Sequence, residues 1–213
     1  MKLRRIMMSF VGVVICAVSV GIFKIAALGV DPFQSLMSGL DSMIPIPFGT
    51  LYVIVNLILL AFALLTDKHY IGLATFINLF LLGYITQFTY EFLQTIFVNP
   101  GLLTRFVCLL IGIILICFSS ALYMTADLGV STYDAIALVM ANKYHIGQFQ
   151  FIRIGTDLVC ILVGCTLFLL SGKTIRDIPT IVGIGTAITA FFMGPLITWF
   201  NVHVAEPLLK EEK

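Results

Sequence analysis

The chain reads as an all-α polytopic membrane protein. It is expected to have six transmembrane helices in two tandem three-helix repeats, inserted in opposite senses, each with a short non-spanning helix after its first span. Three observations carry that expectation. With 60% hydrophobic and 11% charged residues and a mean hydropathy of +1.10, a water-soluble fold would have too little polar surface to cover its core. Apolar runs near 6–28, 49–66, 71–93, 104–126, 148–170 and 179–201 approach the ~20 helical residues that cross about 30 Å of hydrocarbon. Finally, the stretch Lys24-Ile-Ala-Ala-Leu-Gly-Val-Asp-Pro-Phe returns one hundred residues later as Met124-Thr-Ala-Asp-Leu-Gly-Val-Ser-Thr-Tyr, which points to an internal duplication.

Helices are preferred to a barrel because a spanning chain must satisfy its own backbone, and these runs lack the in/out alternation of lipid-facing strands. The first run has a basic head (Lys2, Arg4, Arg5) but is too long for a signal-peptide core. It also matches 106–128 position by position, so it is expected to be a retained first helix. The segment from Asp31 to Met43 is too short to cross at 1.5 Å per residue, yet it carries a helix start. Asp31 is the cap, Pro32 suits the first position, and Gln34 sits where a capping-box partner belongs. Gly29 permits the chain break before it. After the second and third spans, the join falls near Asn99-Pro100-Gly101. The second copy spells the same helix start with Gly129, Ser131 as cap, Thr132 next and Asp134 as partner. Gly72-x-x-Thr75 in the third span is matched by Gly183-x-x-Thr186 in the sixth. The expected units are a first membrane repeat over 1–98, a second over 102–203, and a cytoplasmic tail over 204–213.

If the short helices instead crossed the bilayer as parts of broken spans, each repeat would have four crossings and the copies would be parallel. Segment length favours six spans. The excess of Lys and Arg at one set of loops places both termini in the cytoplasm and does not choose between the two arrangements.

Helix starts held within a membrane present unpaired N–H groups, and discontinuous helices use them to hold substrates near the midplane. Asp31, Pro32, Gln34, Ser131, Thr132 and Asp134 are therefore candidate substrate-binding residues, although the Asp31 carboxylate competes with an anion for the same donors. Arg153 and Asp157, four residues apart on one helix face, suit an ion pair that is either structural or part of a substrate or proton site. Thr75, Asn78 and Thr186 join the candidate set: Thr75 and Thr186 occupy equivalent repeat positions, as do Asn78 and Thr189, on a face expected to turn towards a central cavity. Asn56 is expected to bond between helices. Lys24 is expected to snorkel to water, and Tyr84, Tyr90, Tyr133 and Trp199 suit either interface anchors or cavity walls, with anchoring the expected role. The five cysteines fall inside spans with no CxxC or Cys/His cluster and read as packing residues. The three histidines are too scattered for a metal site, and no cofactor is expected. No nucleotide-loop, nucleophile-elbow or zinc-protease motif appears, so an enzyme is not expected. A net charge of +1 argues against nucleic acid.

The residues Ala26-Ala27-Leu28-Gly29-Val30-Asp31-Pro32-Phe33, with Phe48-Gly49-Thr50 and Gly72-x-x-Thr75, resemble the YczE/YyaS/YitT family of bacterial integral membrane proteins, particularly its YczE-like branch. The second copy keeps Leu128 and Gly129 but has Thr132 and Tyr133, so only the first is a full match. The resemblance implies a multi-pass protein of the bacterial plasma membrane and supplies no catalytic residues. The expected function is a permease or facilitator for a small polar or anionic metabolite, working by pseudo-symmetric alternating access. The expected partners are the lipid bilayer, a small-molecule ligand, and either further copies of the chain or an energising membrane subunit. The alternative is a non-transporting accessory or scaffold protein that acts through a protein partner.

Overall fold

The computed structural model describes residues 2–147 and 149–210. In chain order its helices are α1 (Lys2–Ala26), α2 (Pro32–Met43), α3 (Phe48–Thr66), α4 (Leu73–Ile96), α5 (Leu102–Thr125), α6 (Thr132–Asn142), α7 (Phe149–Leu170), α8 (Ile184–Phe200) and α9 (Glu206–Lys210). Short 3-10 turns fill Lys68–Tyr70 and Ile175–Thr180, and a π turn, Asn201–Ala205, joins α8 to α9. The chain is a multi-pass membrane protein. Helices α1, α3, α4, α5 and α7 are long and apolar enough to cross a bilayer, and α8 with its continuation makes a sixth if its two bent legs form one span.

That bend is 50°, between Ile184–Met193 and Pro195–Leu209. Pro195 has no N–H for the helix ladder, and its ring crowds the preceding turn. The run expected over 179–201 therefore needs correcting at its start, since Pro179 lies in the 3-10 turn and the helix begins only at Ile184. Within that turn the Thr174 hydroxyl and N–H both donate to Asp177, at 2.8 and 3.0 Å, and hold its carboxyl below the usual carboxylate range. The tail expected over 204–213 is helical as far as Lys210, and residues 211–213 lie outside the described residues.

Helix α1 forms the middle of the bundle. It runs antiparallel to α5, with Gly12 against Ser119 and Tyr123, and Gly112 against Phe23. It runs parallel to α4, where Thr86 donates to the Ala17 carbonyl at 3.1 Å and Gly21 backs onto Thr89. Helix α3 returns antiparallel to α4, with Gly49 on Tyr84 and Gly83 on Tyr52. Met8, Ala121, Ala126 and Ala205 form one apolar cluster, so the start of α1 and the end of the chain lie at the same end of the bundle.

The short helices α2 and α6, of 12 and 11 residues, are about 18 and about 17 Å long at 1.5 Å per residue, roughly half a membrane crossing. They start back to back, with the rings of Phe33 and Tyr133 stacked at 4.9 Å. From there α6 follows α3: the Thr132 hydroxyl donates to Asn56, and Lys143 reaches the Thr66 carbonyl at the far end. Helix α2 lies on α7, with Gly39 against Gly164, and leads the opposite way to Phe48. There the Lys24 ammonium sits 3.2 Å over the Phe48 ring and 5.6 Å from that of Tyr90, a cation–π seat at a partly exposed position.

Two clasps fix these helix starts. After α1, the Leu28 carbonyl accepts from the Gly185 N–H at 2.8 Å, and the Thr186 hydroxyl donates to the Val30 carbonyl at 2.6 Å. After α5, the Leu128 carbonyl accepts from the Ala74 N–H at 2.9 Å, and the Thr75 hydroxyl donates to the Val130 carbonyl at 2.6 Å. Gly29 (φ 95°) and Gly129 (φ 103°) lie in the left-handed region, and a Cβ at either would strike the backbone of Gly183 or Gly72. Thr75 and Thr186 were expected to face a cavity. They face backbone instead, donating to the turn carbonyls of Val130, which is half-buried, and Val30, which is buried.

Candidate functional site

The starts of α2 and α6 open onto a cavity of about 500 Å³ at the centre of the bundle. Each start is locally determined. The Asp31 carboxylate accepts the Gln34 N–H at 3.2 Å with Pro32 at the first helical position, and the Ser131 hydroxyl oxygen accepts the Asp134 N–H at 3.1 Å. The partner residues do not complete the expected capping boxes. The Gln34 amide oxygen is buried without a hydrogen-bond partner, and the Asp134 carboxylate accepts from the Ser131 hydroxyl at 2.6 Å and turns to Arg153.

Arg153 is the cationic centre of the site. It pairs with Asp134 on α6 and, through Nε at 3.2 Å, with Asp157 one turn along α7. Its guanidinium also lies 4.3 Å over the Tyr133 ring, whose other face stacks on Phe33. The Tyr133 hydroxyl donates to Asp157 at 2.7 Å, and that of Tyr123 reaches Asp134 at 3.4 Å. Opposite, the Tyr52 hydroxyl donates to the Asn78 amide oxygen at 3.2 Å. Asn56 anchors this side by donating to the Tyr52 carbonyl at 2.8 Å while accepting from Thr132.

Of the residues singled out from the sequence, Asp31, Pro32, Gln34, Asn78, Ser131, Asp134, Arg153 and Asp157 line the cavity. Thr132 stands behind it on Asn56, while Thr75 and Thr186 serve the clasps. Of the two roles open to Tyr133, the structure gives it the second: at 9% exposure it is a cavity wall and not the expected interface anchor, because α6 starts inside the bundle. Sequence reasoning missed Tyr52, Tyr123 and Phe191 as lining residues. Only Tyr52 had a local signal, lying one helical turn before Asn56 on the same face.

The cavity is closed unevenly. Helix α3 packs along α4, whereas among the described residues α7 makes no comparable seam with α8. Ile154 and Phe191 line the cavity from the two sides of that gap.

The chain belongs to a family whose model spans residues 3–202 and is described as a family of unknown function (DUF6198). It is 27% identical over 202 residues to the uncharacterized protein YyaS of Bacillus subtilis (strain 168), covering 94% of this chain and 91% of that one. It is also 23% identical over 201 residues to the uncharacterized membrane protein YczE of the same organism, covering 94% and 86%. An uncharacterized protein of Haemophilus influenzae is 26% identical over 195 residues, covering 91% and 82%. These matches agree with the YczE/YyaS resemblance seen in the sequence. No solved structure matches.

Proposed function

We propose that this protein is a permease or facilitator for a small polar solute, built from two inverted, duplicated halves that close alternately on the central cavity. The observation that carries the reading is the cavity itself: charged, aromatic-walled and enclosed by helices from both halves, with two half-length helices starting at its floor. The duplication is supported by backbone agreement. Ala27 and Asp127 have φ 49° and 53°, Gly29 and Gly129 have 95° and 103°, and the two clasps use corresponding atoms. The antiparallel α1 and α5 support opposite directions for the halves.

The closed α3–α4 seam beside the open α7–α8 gap fits one state of a two-gate device. Lys68 and Lys143 lie at the end of the bundle that carries Arg4 and Arg5, a clustering of positive charge that supports a cytoplasmic location for that end. The reading involves no catalytic chemistry.

The test is a thermal-shift screen of the detergent-purified protein against metabolites, followed by flux of any hit into proteoliposomes. A ligand at a hundredfold excess over its Kd stabilises the native state by about 2.7 kcal/mol. Flux of a hit that is blocked by Ile154→Trp, which puts bulk into the gap without touching the ion pairs, supports the permease. Wild-type flux in Ile154→Trp would mean that the route does not pass this gap, whereas binding without flux counts for an accessory protein.

A further inference from the structure

Taking the cavity of the permease reading as the ligand site, we infer that its cargo is a small protonated amine. Charge balance is the first ground. Asp31, Asp134 and Asp157 face the cavity against a single guanidinium, Arg153, which leaves two negative charges in excess when all four are ionised. Arg153 is already shared by Asp134 and Asp157, and the Ser131 and Tyr133 hydroxyls donate to the same two carboxylates. Asp31 makes no hydrogen bond or ion pair to this network, although the Arg153 charge acts on it through space. Its Oδ1 takes one backbone N–H, from Gln34 at 3.2 Å, and among the described residues no side-chain cation pairs with it.

The second ground is independent of charge. Gln34 is 3% exposed and lines the cavity one helical turn from Asp31, and its amide oxygen has no hydrogen-bond partner. A buried acceptor without a donor is destabilising, so a bound group that brings N–H donors relieves it. An ammonium has three donors and no acceptor, the complement of a carboxylate beside an orphaned carbonyl. A carboxylate or phosphate cargo would instead meet the Asp31 carboxylate at one helix start, and the third N–H of each short helix already serves Asp31 or Ser131. Phe33 and Tyr52, 6.0 Å apart and edge to face, offer π surface for the cation and its carbon skeleton.

The experiment compares methylammonium, putrescine and phenethylamine, as chlorides, with the matched alcohols and carboxylates at constant ionic strength. The full chain is used in detergent, read by thermal shift and calorimetry. At least one amine is expected to bind, and its carboxylate counterpart is not. Asp31→Asn keeps a capping side chain, so the helix start survives while affinity for that amine falls about tenfold or more. Gln34→Met removes the orphaned acceptor at similar volume and weakens binding about two- to tenfold without lowering the unliganded midpoint. Tighter binding of a carboxylate or alcohol, no binding of any amine, or unchanged affinity in Asp31→Asn overturns the inference. Flux separates the two readings: amine binding without flux removes the permease and keeps the amine site, while flux of a carboxylate keeps the permease and removes the amine.

Discussion

Arg153 is the residue on which the cavity's electrostatics turn. Two carboxylates point at it, so removing it leaves both without a cation in a medium that solvates charge poorly. Arg153→Gln is expected to lower stability by about 3–5 kcal/mol, the usual cost of breaking a buried pair. Asp157→Asn alone is expected to cost less, since Asp134 still pairs with Arg153 and the Tyr133 hydroxyl still has an acceptor. The double variant should recover part of the Arg153→Gln loss because it removes one orphaned charge; thermal unfolding in one detergent gives all three values, and strict additivity would break the coupling. The Arg153–Asp157 half of this unit was legible in the sequence, because a four-residue spacing on a helix fixes which side chains meet. Asp134 was not legible as a partner, since its contact depends on how α6 packs against α7, which no local pattern encodes. Gln34 was read as a cap partner for the same reason: position three is local, but the cavity its amide faces is built by other helices.

At the scale of elements, the half-length helices were readable almost to the residue, because caps, a leading proline and a glycine break are local chemistry. Helix α2 begins at Pro32 behind Asp31, and α6 at Thr132 behind Ser131. What the sequence hid was their surroundings. Gly72-x-x-Thr75 and Gly183-x-x-Thr186 were visible as a repeated pattern, yet the hydroxyls tie the turn before each short helix to the start of a distant long one. Thr75→Val and Thr186→Val keep side-chain shape but leave a buried carbonyl without its donor, so each is expected to destabilise by about 1–3 kcal/mol. Gly29→Ala should cost more than either, because a Cβ there meets the Gly183 backbone in a conformation L residues rarely adopt. The measurement is the denaturation midpoint of the three variants. Equal losses in Thr75→Val and Thr186→Val would match the two clasps in energy as they match in geometry, whereas a negligible loss in one would make that clasp ornamental.

At the scale of the molecule, the unequal seams set the sharpest expectation. A rigid scaffold has no reason to alternate between a packed α3–α4 pair and an unpacked α7–α8 pair, whereas a two-gate permease must visit both. A Cβ at Gly49 would lie 2.9 Å from Tyr84 Cγ, so Gly49→Cys with Tyr84→Cys is placed to form a disulfide across the closed seam. Ile154→Cys with Phe191→Cys probes the open side. In a background with the five native cysteines replaced, the first pair should crosslink quickly in unliganded membranes and the second slowly. A transported ligand should slow the first and speed the second, because it draws population through the other state. Only differential affinity for the two states shifts such an equilibrium, so a ligand that binds without changing either rate would show that the seams are fixed. The cavity would then be a static pocket, and the asymmetry between α3–α4 and α7–α8 a surface for another chain.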